Sequence, residues 1–101
     1  MVRPQLDPAK QAKHVAGSRN FIPGRSILTH PDPQALPDAW AGTGHPVNAV
    51  PIGQPGSKER VDFGEVIGEY VNPATGLSMP KTKGIIVYDR RGSAHIIPAR
   101  P

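Results

Sequence analysis

The run from Thr82 to Pro101, TKGIIVYDRRGSAHIIPARP, constrains the fold more than any other part of the chain. Ile85, Ile86, Val87, Tyr88, Ile96 and Ile97 are β-branched or aromatic, the residues that suit a pleated and packed surface. Between the two apolar clusters lies Asp89-Arg90-Arg91-Gly92, a polar loop with glycine near its end, as a hairpin with a bulged or longer turn requires. The apolar residues are consecutive and do not alternate with polar ones. That predicts a hairpin covered on both faces or central in its sheet. Polar groups edge it: Lys81, Thr82 and Lys83 before, His95 just after the turn, Arg100 at the exit. A stiff apolar ribbon of this kind holds cationic and proton-transferring groups in fixed places.

The rest of the chain is rich in breakers. With 13 Pro and 11 Gly in 101 residues, loops dominate, but the apolar clustering from Arg60 to Ala99 argues against full disorder. The length allows one domain at most. Residues 1–8 read as a linker or arm and 9–101 as the domain. Asp7-Pro8 is a helix start, with Asp as cap and Pro in the first turn, and predicts a short helix over 9–16 ended by Gly17. Lys10, Lys13 and His14 then share one face of that helix. Arg25 to His30 carries a short strand-like core. Asp32-Pro33 repeats the helix-start pattern; Pro37 interrupts it, and a helix restarting there and ending near Gly42 carries Leu36, Ala39 and Trp40 inward. Gly42 to Lys58 reads as a long loop. Arg60 to Asn72 reads as a strand pair or one bent strand, with a bulge at Gly64 and with Val61 and Phe63 facing one way. The expected fold class is α+β: short N-terminal helices packed on a three- to five-stranded antiparallel sheet.

A formal net charge of +4 and a pI near 9.9 suit an anionic partner such as nucleic acid or an acidic protein. There is no cysteine, so neither a disulfide framework nor a thiolate zinc site is available. No apolar run approaches the roughly 20 residues of a membrane span, so no membrane partner is expected. The opening MVRPQLDPAKQAK lacks the apolar core of a signal peptide. None of the four histidines forms an HxxxH or HExxH pair, and no P-loop, GxGxxG turn or GxSxG elbow is present. No metal and no cofactor are therefore expected, and the scarcity of clustered Asp, Glu and His speaks against a metal-dependent nuclease.

What remains is a kit of His, Lys, Arg, Ser and Thr. Taken singly, each has a bland reading: Lys10 and Lys13 as a wet helix face, Ser26 and Thr82 as strand-edge residues. Taken together they match the needs of metal-independent RNA cleavage. A 2′-OH must lose a proton, the leaving 5′-oxygen must gain one, and charge on the phosphorane oxygens needs cations or donors nearby. His14 and His95 can move protons, Lys13 and Arg25 can supply charge, and Ser26 and Thr82 can donate from hydroxyls. Lys10, Lys81, Lys83 and Arg100 can contact RNA phosphates. A non-catalytic RNA- or protein-binding module using the same basic surface is the alternative.

Five ordered stretches carry a resemblance: KQAKHVAGSRNF, GRSILT, VDFGEVIGEYV, KGIIVY and GSAHIIPARP. In this order and spacing the chain resembles the polymorphic toxin type fifty domain over nearly its whole length, from about Lys10 to Pro101. The family's motif positions fall on Lys10, Gln11, Lys13 and His14, on Gly24, Arg25 and Ser26, on Thr82, and on His95 to Pro98. One departure is Val87, where members often carry histidine. The resemblance implies a C-terminal toxin module of bacterial contact-dependent or other polymorphic systems, with a ribonuclease fold of the barnase–EndoU–colicin–RelE type. It further implies two partners, RNA, with tRNA as the expected substrate, and a cognate, acidic immunity protein, the domain standing as a monomer or in a 1:1 complex with that protein. Secretion or surface delivery within a larger protein, with action in the cytoplasm of a target bacterium, follows from the same resemblance.

Overall fold

Strand propensity at the two ends of the fold, and glycine at the turns between them, account for most of the regular structure. The computed structural model describes residues 4–12, 26–72, 74–89 and 92–99. The elements are β1 (Gln5–Leu6), α1 (Pro8–Ala12), β2 (Ile27–Leu28), α2 (Ala35–Trp40), β3 (His45–Pro46), β4 (Lys58–Asp62), β5 (Gly68–Val71), β6 (Ser78–Lys81), β7 (Lys83–Tyr88) and β8 (Ser93–Pro98). They form a five-stranded sheet in the order β1-β8-β7-β4-β3 and a three-stranded sheet in the order β2-β5-β6. β1 runs parallel to β8; the other pairings are antiparallel.

This corrects the α+β expectation. Among the described residues the protein is mostly β, with eight strands in two sheets and helices of only five and six residues. Isolated helices shorter than about 12–15 residues are marginal in water, and among the described residues, where Pro and Gly are frequent, none is longer than six. The helix start at Asp7 is present: its carboxylate accepts the Lys10 N–H at 3.2 Å and its carbonyl accepts the Gln11 N–H at 2.8 Å. α2 passes through Pro37 because that residue lies in the first turn, where no intrahelical donor is needed. Leu36 is buried as expected, but Ala39 is exposed and Trp40 is only partly covered, set edge-on to Phe63 at 6.2 Å.

The segment read as a strand pair from Arg60 to Asn72 is divided between the two sheets, as β4 and β5. Gly64 forms a turn and not a bulge: its φ is +74°, and the Asp62 carboxylate accepts its N–H at 3.0 Å. β6 had no sequence signal, since SMPK has a proline and no β-branched residue. It lies at the edge of its sheet, where proline is tolerated.

The hairpin β7–β8 is central, as its composition implies. Its burial alternates nonetheless. Gly84, Ile86 and Tyr88 on β7, with Ala94, Ile96 and Pro98 on β8, are buried. Of these, Ile86, Tyr88, Ala94 and Ile96 pack with Val61, Phe63, Ile67, Leu28 and Leu36 into one core. Ile85, Val87, His95 and Ile97 are half-buried on the opposite face.

Two buried polar side chains fix the margins of this sheet. Gln11 extends the parallel edge where β1 stops: its amide donates to the Ile96 carbonyl at 3.0 Å and accepts the Ile96 N–H at 2.7 Å. Glu59, with no exposed surface, accepts the N–H groups of Gly42 at 2.9 Å and Gly44 at 2.8 Å and the Tyr88 hydroxyl. Gly44 must be glycine here, because a Cβ would stand 2.4 Å from the Arg60 carbonyl.

Two measurements test these margins. Gln11→Ala leaves both backbone groups of Ile96 without their partner, at a cost of about 1–3 kcal/mol; thermal denaturation should show a fall of at least ~4 °C. Burial first, and then the hydrogen bond and charge of Glu59, push the Tyr88 phenol above its ordinary value of 10.0. The folded state therefore binds that proton more tightly than the unfolded chain. The stability from this group is intact below about pH 10 and is lost as pH rises beyond it. Urea midpoints should fall more steeply above that pH in the wild type than in Tyr88→Phe; parallel profiles would exclude Tyr88 as the source.

Candidate functional site

Strand alternation places the chemistry-bearing residues. With Glu59, Val61, Ile86 and Ile96 turned into the core, Lys58, Arg60, Val87 and His95 belong to the opposite face. Register groups them in two rows across β4, β7 and β8. Lys58 pairs with Val87, and Val87 with His95; Arg60 pairs with Ile85, and Ile85 with Ile97. The rows are two residues apart, about 6.6 Å along the strands. His95 thus has a lysine in its own row and an arginine in the next. Its ring is half-buried, with Nδ1 shielded from solvent. Val87 is its direct cross-strand neighbour.

Depressions lie on either side of His95. The first, of about 600 Å³, is bounded by Asp7, Lys10, Lys58, Val87, Asp89 and Ser93. Lys10 reaches Asp89 at 2.8 Å, and the Ser93 hydroxyl donates to the other Asp89 oxygen at 3.3 Å. The second, of about 270 Å³, lies at the seam of the two sheets. It is lined by Ile85, Ile97 and Pro98, by Tyr70, and by the polar Arg60 and Ser26. Close contact makes that seam: a Cβ on Gly68 of β5 would stand 2.9 Å from Pro98 of β8. Ser26 is buried, and its Oγ accepts the Val71 N–H at 3.4 Å.

The sequence-derived site residues separate accordingly. Lys10, Ser26 and His95 border the same face. Thr82 is five residues along β7 from Val87, about 17 Å, and its carbonyl accepts the Phe63 N–H at 2.9 Å. Lys83 lies at the same far end, opposite Asp62. Lys81 belongs to β6 in the other sheet, paired with Gly68. Lys13, His14, Arg25 and Arg100 lie outside the described residues, as do Arg90 and Arg91 of the hairpin tip.

Three residues of this face escaped the sequence reading: Lys58, Arg60 and Tyr70. The alternation K-E-R-V-D carried a signal for the first two, since Lys58 and Arg60 are two apart with apolar Val61 out of phase. Nothing local marks Tyr70, which reaches the face only through the packing of one sheet on the end of the other.

Among the described residues no group of three or more His, Cys, Asp or Glu side chains is arranged to hold a metal ion. No helix among them is long and apolar enough to cross a membrane. A comparison with curated proteins gives no match. The family model described as bacterial toxin 50 matches residues 6–98. That match runs from Leu6 at the end of β1 to Pro98 at the end of β8, taking in both sheets and both depressions, and the chain belongs to the bacterial toxin 50 family of polymorphic toxin domains.

Proposed function

We propose that this toxin domain is a metal-independent endoribonuclease, of the barnase–EndoU–colicin–RelE type, with tRNA as its substrate. The observation that carries the reading is the position of His95, a half-buried imidazole on the outer face of the sheet, in one row with Lys58 across Val87 and one row from Arg60. In the reaction a base takes the 2′-OH proton, O2′ attacks the adjacent phosphorus, and the 5′-oxygen leaves with a proton from an acid. The products are a 2′,3′-cyclic phosphate and a 5′-hydroxyl. His95 serves one proton transfer and His14 the other. Lys58 and Arg60, with Lys13 and Arg25, offset the charge of the phosphorane. Ser26 is the hydroxyl donor of this scheme and Lys10, Lys81, Lys83 and Arg100 are its RNA contacts, while Thr82, five residues along the strand from Val87, takes no part in the proton transfers.

The net charge of +4 supports both partners of the scheme, RNA and an acidic immunity protein that covers the same face until delivery. Delivery would be as part of a larger bacterial protein, with action in the cytoplasm of the target cell.

Purified domain incubated with total tRNA in EDTA should give discrete fragments ending in 2′,3′-cyclic phosphate. His95→Ala and His14→Ala should each slow cleavage by about a hundred- to ten-thousand-fold with the circular dichroism spectrum retained. Intact tRNA that is nonetheless retarded in a gel-shift assay would replace the enzyme with a binding module. Fragments that disappear in EDTA would overturn the metal-independent step.

A further inference from the structure

We infer that the seam between the two sheets is a subsite for one unpaired nucleobase, stacked on Tyr70, and that it sets where the RNA is held relative to His95. The inference rests on the ribonuclease reading and adds a substrate class to it: single-stranded RNA, or a loop within a folded one.

Size is the first argument. The cavity holds about 270 Å³, just under the roughly 300–1,000 Å³ of sites for drug-sized ligands. One planar base suits it; a base pair does not. Composition is the second. Ile85, Ile97 and Pro98 give it an apolar floor, Tyr70 an aromatic wall, and Arg60 and Ser26 a polar margin. Stacking on an aromatic ring is worth about 1–3 kcal/mol per base and requires a base already out of its duplex. Tyr70 is half-buried and borders the cavity.

Position is the third argument. Ile97, on the floor, is two residues from His95 along β8; Ser93, in the other depression, is two residues away in the opposite direction. His95 therefore stands between an apolar, aromatic pocket and a groove lined by Lys10 and Lys58. Each step is about 6.6 Å, the scale of one nucleotide along an extended strand. A base in the seam leaves its phosphate beside His95, and the next stretch of backbone passes over the two lysines. Arg60, on the same row as Ile85 and Ile97, lies where base and phosphate meet.

The test uses a fluorescent, fully 2′-O-methylated single-stranded oligoribonucleotide, which binds without being cut, and an unmodified oligonucleotide of mixed sequence. Tyr70→Phe keeps the ring, and Tyr70→Leu keeps bulk without it. Wild type and Tyr70→Phe should bind alike within twofold. Tyr70→Leu should bind about tenfold more weakly, as loss of one stacked base demands. On the unmodified strand it should raise KM more than it lowers kcat and should flatten the distribution of cleavage sites. A duplex of the same sequence should bind all three proteins equally poorly. Binding by the wild type that Tyr70→Leu leaves unchanged, with the same cleavage sites, overturns the subsite while the ribonuclease stands. Absence of both binding and cleavage in the wild type overturns the two together.

Discussion

The alternation of side chains along β7 and β8 governs the rest of the molecule. Ile86 and Ile96 are completely buried on one face of the ladder, and each such side chain stabilises the fold by about 1.5–3 kcal/mol. That energy is also what fixes the other face. A slip of one residue in β8 would turn His95 into the core and Ile96 out of it. The register of His95 against Val87, and of the arginine row beside it, is therefore held by the core packing of the opposite face. The functional face inherits its geometry from a surface it does not share.

Strands alone would leave this sheet loosely bounded. Its ends are closed by polar groups taken out of water, which are tolerable only when fully paired. Gln11 satisfies Ile96, the residue next to His95, and so ties the segment carrying Lys10 to the strand carrying the imidazole. Glu59 does the corresponding work on β4, between Lys58 and Arg60 in sequence. Its carboxylate points to the core and gathers the Gly42–Gly44 loop and Tyr88, while its two cationic neighbours point the other way. Each buried polar anchor is thus adjacent in the chain to an outward group of the candidate site.

This arrangement explains what could be read in advance. The central hairpin announced itself, because Ile85 to Tyr88 and Ile96-Ile97 allow little else. His95, Lys10 and Ser26 were legible as chemistry, and they do border one face. The α+β expectation failed because Asp-Pro pairs signal where a helix starts and not how far it goes. β6 was invisible because an edge strand needs no strong propensity when its neighbour supplies the pairing. Thr82 looked adjacent to the site in sequence, yet a strand is extended, and five residues of it carry a side chain far from Val87. Tyr70 and Arg60 are the converse: distant in sequence from His95, and brought near by cross-strand register and by the close approach at Gly68. Local pattern reports which face a residue takes; only tertiary pairing reports which faces meet.

A toxin domain of this size must present a surface that RNA can enter and that a single protein can close, if the proposed reading holds. A standard interface covers about 800 Å² on each partner, against a total accessible surface here of 6072 Å². One neutralising protein therefore has area for roughly an eighth of the molecule, so the catalytic and binding groups have to be gathered on one side. The two rows across β4, β7 and β8 bring Lys58, Arg60 and His95 to one such side. The same concentration of Lys10, Lys58 and Arg60 that would attract phosphate would also steer an acidic inhibitor to the same place. Affinity for substrate and susceptibility to neutralisation then have one physical origin, the cationic outer face of a sheet whose inner face is fixed by its core.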